Sequence, residues 1–154
     1  MQIRPAKFDD IKQIVPFLVE ANALTSTKNV PVDEPTLRKT LQQVVNTPGN
    51  QAFLSFDEDT LTGIIAGVSN QIWFSKKKQV VDLVFYVSPE HRGHGFYLAR
   101  RYLAWAKNVK GAVEVYLGVT SGLDTDRTDD LYSKLGLTRV GSSYRLEVAH
   151  VQPT

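Results

Sequence analysis

Hydrophobic positions recur at helical spacing in the first third of the chain, which predicts two amphipathic helices there. The first helix opens after Asp9 or Asp10. Its apolar face comprises Ile11, Ile14, Val15, Leu18 and Val19. The second helix begins at Asp33, has Pro35 in its first turn, and ends at Pro48-Gly49. Its apolar face comprises Leu37, Leu41, Val44 and Val45.

Short apolar or alternating blocks predict strands over most of the remaining chain. They lie at 2–4, 52–56, 62–69, 80–87 and 113–119, and one or two further strands are expected at 140–148. Helices are expected at 95–108 and 127–135. The order β-α-α-β-β-β-α-β-α-β places hairpins before crossovers, which predicts an α/β domain of the mixed-sheet (α+β) kind. We expect one domain over 1–148 and a C-terminal tail over 149–154.

Composition narrows the classes of function. A length of 154 residues suits one core, and 18 basic against 16 acidic residues give a charge of +2, too small to indicate a nucleic-acid partner. The absence of cysteine removes thiolate catalysis, and the scattered His91, His94 and His150 do not form a metal site. No secretory signal or bilayer-length apolar run is visible. We therefore expect a cytoplasmic protein without metal, membrane or nucleic-acid partners.

The segment that follows the strand at 80–87 has the chemistry of a phosphate site. A turn at Pro89 leads into a basic, glycine-rich loop at 92–95, and the loop opens directly into a helix. A helix start presents unpaired N–H groups and a positive dipole end, and Gly93 and Gly95 allow close approach. A P-loop would need a Gly-Lys-Ser/Thr ending, and a dinucleotide fingerprint would need a third glycine; the sequence has neither.

This loop resembles the acyl-CoA loop of the GNAT superfamily of acetyl-CoA-dependent N-acetyltransferases. The family pattern is Arg/Gln-x-x-Gly-x-Gly/Ala after a Val-x-Pro-Glu-like turn, and residues 87–97 read Val-Ser-Pro-Glu-His-Arg-Gly-His-Gly-Phe-Tyr. Tyr97 departs from the last position. The Leu-Tyr at 131–132 followed by Gly136 matches the family's final helix, in which Thr125 replaces the usual Asn. The segments 90–93, 73–75 and 117–120 look most like a branch found in phage and bacterial genomes.

The resemblance implies direct transfer of an acetyl group from acetyl-CoA to a primary amine. It implies Tyr132 as the acid for the thiolate and Asp82 as the candidate base, since Asp82 interrupts an apolar strand and needs partners or a cleft. A strand bulge near Phe85 is expected. The implied cofactor-binding residues are Phe85, Tyr86, Val87, Arg92, Gly93, His94, Gly95, Phe96, Tyr97 and Thr125.

Several alternatives stay open at this stage. The amine acceptor is unidentified, as a small molecule or a protein amine, and Trp73 and Phe74 are candidates for lining its site. The acyl donor is either acetyl-CoA or a longer acyl-CoA. The departures at Tyr97 and Thr125 allow a non-catalytic GNAT-fold module that binds CoA or a protein. A homodimer is a further possibility, since sheet-edge dimers are common in the superfamily.

Overall fold

The computed structural model describes residues 1–119 and 125–148. The elements follow the predicted order as far as the last helix. They are β1 (Gln2–Pro5), α1 (Ile11–Asn22), α2 (Glu34–Asn46), β2 (Gln51–Asp57), β3 (Thr60–Gln71), β4 (Lys78–Val87), α3 (His94–Ala106), β5 (Ala112–Val115) and α4 (Thr125–Lys134). Short 3-10 turns lie at Phe8–Asp10 and Pro89–His91.

One five-stranded mixed sheet organises the domain, in the spatial order β1-β2-β3-β4-β5. The first four strands are antiparallel neighbours, and β5 pairs in parallel with β4. The core lies on both faces of the sheet. On one face α1 and α2 cover β-strand residues such as Leu54 and Ile64, and on the other α3 covers residues such as Phe53 and Ile65. The mixed α/β prediction is thereby confirmed.

Two side-chain arrangements fix where the first and third helices begin and pack. Asp10 precedes α1, as the sequence predicted, but its carboxylate accepts hydrogen bonds from Arg4 at 2.7 and 2.8 Å and from the Lys7 N–H, and gives no side-chain cap. The hydrogen bonds from Arg4 lower the pKa of Asp10 to about 2. A Cβ at Gly67 would lie 2.5 Å from the Tyr102 ring, so this glycine lets α3 approach β3.

The C-terminal strands were predicted wrongly. Residues 140–148 adopt no strand, and their apolar members Val140, Tyr144, Leu146 and Val148 are 70–95% exposed. Alternation of apolar and polar residues predicted a strand, but a strand also needs a partner for its backbone groups. The predicted tail at 149–154 lies outside the described residues. No helix among 1–119 and 125–148 has the length and apolarity to cross a bilayer.

The neighbouring strands β4 and β5 diverge after a short paired stretch, and this divergence opens space beside β4. Their parallel pairing covers only residues 78–80 of β4, and the last bond is from the Tyr116 N–H to the Val80 carbonyl, at 2.8 Å. The strand predicted at 113–119 therefore ends at Val115. Against β3, Ala66 pairs with Val84 and Gly67 with Asp82, which leaves Leu83 as an extra residue. The bulge expected near Phe85 thus lies two residues earlier.

Candidate active site

The parting of β4 from β5 opens a cavity of about 480 Å³ beside the glycine-rich loop. Its floor is β4, and α1, α2 and α4 contribute to its walls. Beyond Val80, no described strand faces the β5 side of β4, so main-chain groups there are available to a ligand. The structure brings seven of the residues singled out from the sequence to this cavity: Asp82, Phe85, Tyr86, Val87, Arg92, Gly95 and Tyr132.

Gly118 joins the two candidate catalytic side chains. Its N–H donates to Asp82 Oδ1 at 3.1 Å, and its carbonyl accepts from the Tyr132 hydroxyl at 2.8 Å. The carboxyl on β4 and the phenol on α4 are therefore both fixed by one peptide segment that follows β5. This arrangement bridges the gap between the parted strands and holds both groups at the cavity wall.

Burial sets the protonation of both groups. Tyr132 is 8% exposed, and its burial, with the charges of Asp82 and Asp129, raises the pKa of its phenol. Burial also raises the pKa of the Asp82 carboxyl, and the Gly118 N–H partly offsets this. The phenol is thus a proton donor at neutral pH, while the carboxyl is a stronger base than an ordinary surface aspartate.

Aromatic contacts orient the floor of the cavity. The rings of Phe85 and Tyr132 stack with centroids 6.4 Å apart, and the Tyr86 ring meets Phe17 of α1 edge-on at 5.5 Å. Successive β4 side chains therefore point to opposite faces, Phe85 toward α4 and Tyr86 toward α1. Their main chain lies between, at the cavity floor.

The glycine-rich loop has the surface that a phosphate group would need. Arg92 and Gly95 line the cavity, and a Cβ at Gly93 would meet nothing within 4 Å, so the space outside this residue is open. Gly95 is buried, and its position packs against the Phe85 and Val87 side chains. The start of α3 is thereby seated directly on the end of β4, next to the open main chain.

A chain of hydrogen bonds anchors the loop to the sheet through His94. Its Nδ1 is hydrogen-bonded to Thr62 Oγ1 at 2.8 Å, and Thr62 Oγ1 to Ser55 Oγ at 2.8 Å. Ser55 and Thr62 are fully buried. The preceding turn is anchored separately, by His91 bonds to Ser88 and Asp57 at 2.9 and 3.3 Å. His94 thus uses its Nδ1 to position the loop.

The family resemblance implies acetyl-CoA at this loop, and on that expectation His94→Ala should weaken acetyl-CoA binding without a comparable loss of turnover. Loss of one net hydrogen bond of about 1 kcal/mol should raise KM for acetyl-CoA by roughly fivefold, with kcat little changed. Steady-state kinetics with a fixed amine measures both constants.

The control for this change is His94→Asn, which places a polar atom at the distance of Nδ1 and should restore most of the binding. Equal defects in the two variants, or a fall in kcat at constant KM, would argue against an anchoring role.

Other residues singled out from the sequence lie elsewhere. Phe96, Tyr97 and Thr125 do not line the cavity; Tyr97 is half-exposed against the Phe96 ring, and Thr125 is exposed at the start of α4. Trp73 and Phe74 do not line the cavity: they project from the turn after β3, 92% and 73% exposed. Their place at the end of a strand suggested a position near the cleft, but the length of the β3–β4 hairpin places them away from it.

Some residues of the site were missed from the sequence. Gly118 contributes only its backbone, and a glycine after a strand gives no sign of that use. The buried hydroxyls of Ser55 and Thr62 resemble ordinary strand residues until the sheet places them beside His94. Leu18 of α1 and Leu37 of α2 were interpreted only as members of the apolar faces of those helices.

Comparison with known proteins gives the family. No curated protein matches the sequence. Among solved structures, a possible acetyltransferase from Clostridium difficile 630 superposes with a TM-score of 0.70 at 19% identity, covering 97% of this chain and 98% of its own. An aminoglycoside acetyltransferase from an uncultured soil metagenomic sample gives a TM-score of 0.72 at 17% identity, with coverage of 97% and 95%. A ribosomal-protein-alanine N-acetyltransferase from Brucella melitensis biovar Abortus 2308 gives 0.66 at 15%, with coverage of 96% and 100%.

These likenesses, all under 25% identity, show the fold. The sequence model of the acetyltransferase (GNAT) family matches residues 18–137, which include β4, the glycine-rich loop and the helix that carries Tyr132. The chain therefore belongs to the acetyltransferase (GNAT) family and is an N-acetyltransferase.

Proposed function

We propose that the protein transfers an acetyl group from acetyl-CoA to a primary amine, with Asp82 and Tyr132 handling the protons. One observation carries the proposal: the open edge of β4 lies in a single cavity that Arg92, Asp82 and Tyr132 also line. The open strand edge, the candidate phosphate-binding loop and the two proton-transfer groups thus line one cavity.

The chemistry of the residues fits acetyl-CoA. Arg92 and the start of α3 suit a pyrophosphate, because a cation and helix N–H groups converge there. The β4 main chain from Leu83 to Val87 offers hydrogen bonds to an amide-containing arm, and the Phe85 ring and Leu131 offer apolar contact. When bound, acetyl-CoA supplies a thioester whose carbonyl is open to attack. N–H groups of β4 directed at that carbonyl would stabilise the charge that develops on its oxygen.

The proton balance assigns one role to each side chain. Transfer replaces a C–S bond by a C–N bond, and one proton must leave the amine while one reaches the thiolate. Asp82 has a raised pKa and accepts the proton, directly or through water. Tyr132 has a raised pKa that keeps it protonated, and it donates. To do so, its hydroxyl exchanges the Gly118 carbonyl for the thiolate.

A small-molecule amine is the acceptor class that we favour. The structural neighbours include aminoglycoside acetyltransferases, one of them in complex with sisomicin, and also a ribosomal-protein-alanine N-acetyltransferase. The cavity of about 480 Å³, which is partly open to solvent, suits a small acceptor beside the reacting end of the donor.

Asp82→Asn tests the base. The amide oxygen retains the acceptor for the Gly118 N–H but cannot take a proton, so we expect kcat to fall by about 10- to 100-fold while the fold is preserved. Because the pKa of Asp82 is raised, wild-type activity should fall with decreasing pH earlier than an ordinary aspartate would cause. That low-pH limb should be absent in Asp82→Asn. A pH profile of kcat measures it.

The matched control is Asp130→Asn, since Asp130 is exposed on α4 and does not line the cavity. Wild-type kcat and an unchanged pH profile in Asp82→Asn would reduce Asp82 to an anchor for Gly118, and Asp82→Ala would then affect only thermal stability.

Calorimetric titration of acetyl-CoA tests the proposal as a whole. We expect micromolar binding of acetyl-CoA, followed by thiol release only when an amine is added. No binding of acetyl-CoA, CoA or longer acyl-CoAs would contradict the proposal and favour a non-catalytic module. Binding of a longer acyl-CoA alone would change the donor and leave the site assignment intact.

A further inference from the structure

The wall of the cavity formed by α1, α2 and the segment between them is lined by aliphatic and uncharged polar side chains. Its members are Leu18, Ala21, Thr25, Thr27, Val32 and Leu37. It contains no cation and no glycine-rich loop, so it cannot hold the pyrophosphate end of acetyl-CoA. Arg92 and Gly95 provide that end, which leaves this wall for the acceptor.

We call this wall the acceptor wall, because it would face the amine acceptor. Its polar side chains are already hydrogen-bonded to one another. Asn22 also lines the cavity, and its side chain accepts from Thr27 Oγ1 at 2.7 Å and donates to the Val30 carbonyl at 3.2 Å. Thr25 Oγ1 is shared between the Asn22 carbonyl and Thr27 Oγ1, at 3.1 and 3.0 Å. The polar groups bind one another, and they leave the aliphatic groups of Leu18, Val32 and Leu37 as the surface for a ligand.

The same bonds fix the shape of the wall. The segment between α1 and α2 is held internally by Asn22, Thr25 and Thr27, and externally by Arg145, whose guanidinium donates to the Ser26 carbonyl at 2.7 Å. A wall that is held in this way presents a preformed apolar surface. It would not supply new polar partners by rearrangement at low cost.

The charged residues that line the cavity also restrict which amines can bind there. Of the described residues that line it, Asp82 is the one acid, and Arg92 and Arg127 are cations. Glu20 and Glu90 lie near enough to raise the pKa of Tyr86, and Asp129 that of Tyr132. None of these three acids lines the cavity. A polyamine or aminoglycoside would place its first amine near Asp82. Its remaining ammonium groups would lie against aliphatic side chains, where an unpaired charge loses part of its hydration, or near arginines, which repel it.

We infer that the acceptor is a primary amine on an uncharged, largely apolar body, and that polycationic amines are poor acceptors. This inference rests on the proposed function and specifies the acceptor of that same site. The amine reaches Asp82 and Tyr132, and its apolar body packs against Leu18, Val32 and Leu37. The aminoglycoside acetyltransferases that share the fold would then differ from this protein in substrate class.

A panel of amines tests this on the full chain with acetyl-CoA. We expect kcat/KM to rise about three- to fourfold for each methylene from butylamine to hexylamine, and to favour hexylamine over spermidine by at least about tenfold. Val32→Asp should flatten the alkyl series and raise the spermidine value by about tenfold, because it adds a carboxylate to the acceptor wall. Val30→Asp is the matched control: Val30 is 62% exposed and does not line the cavity, so it should leave the ranking unchanged.

The outcomes separate the two proposals. Preference for spermidine or an aminoglycoside by the wild-type protein, or an equal effect of both substitutions, would overturn the apolar acceptor while the acetyltransferase assignment holds. Calorimetric binding of acetyl-CoA without acetylation of any amine in the panel would also overturn the acceptor class. Failure to bind acetyl-CoA would instead overturn the proposed function.

Discussion

Tyr132→Phe should lower kcat by about 10²- to 10³-fold and leave the affinity for acetyl-CoA nearly unchanged. The phenol is buried against the cavity, carries a raised pKa and stacks on Phe85, so the phenylalanine ring fits the same space without the proton. The loss of its bond to the Gly118 carbonyl should lower the free energy of unfolding by about 1 kcal/mol. Turnover, calorimetry and a thermal melt on one preparation measure these quantities.

The matched control is Tyr116→Phe. Tyr116 lies just beyond β5, its hydroxyl bonds Glu114 at 2.9 Å, and it does not line the cavity. It should retain wild-type turnover. A Tyr132→Phe protein with wild-type kcat would show that the thiolate is protonated by another group. A parallel loss of acetyl-CoA affinity would instead assign Tyr132 to binding.

Arg92→Glu should raise Kd for acetyl-CoA by about 100-fold or more. A hydrogen bond between charged groups contributes about 1.5–3 kcal/mol, and reversal of the charge adds repulsion of the phosphates. Because phosphate binding is electrostatic, the wild-type affinity should also fall as salt is added, and this dependence should weaken in the variant. Calorimetric titration at two ionic strengths measures both effects.

Arg100→Glu serves as its control, since Arg100 is exposed on the same helix and does not line the cavity. It changes the net charge by the same amount. If both variants lost affinity equally, the effect would come from the general field of the protein. If neither variant lost affinity for acetyl-CoA, the phosphates would not bind at the Arg92 loop.

The parts of the site that could be predicted from sequence are those that depend on residues close together in the chain. The strand at 80–87, the Pro89 turn and the glycine-rich loop are contiguous, and each of them constrains its own backbone. Asp82 was identified because a carboxyl in an apolar strand is costly. Tyr132 was identified through family resemblance, and the structure places it in the same cavity as Asp82.

The parts that could not be predicted depend on distant pairing. Residues 140–148 alternate like a strand, but whether they form one depends on a partner edge that local sequence does not reveal. The early end of β5 at Val115 is a consequence of its divergence from β4. The His94 anchor needs Thr62 and Ser55, which come from two other strands. The engagement of Asn22 with Thr27 is likewise a property of the folded loop.

The central claim, direct acetyl transfer to an amine in the β4 cavity, is tested most directly by following both products of one reaction. Acetyl-CoA and hexylamine are incubated with the wild-type protein, and free thiol and N-acetylated amine are quantified over time. We predict that the two appear in equal amounts, and that Tyr132→Phe slows both together. Thiol release without acetylated amine would contradict direct transfer to an amine, which is the central claim. No release of thiol from bound acetyl-CoA with hexylamine would contradict only the apolar acceptor class.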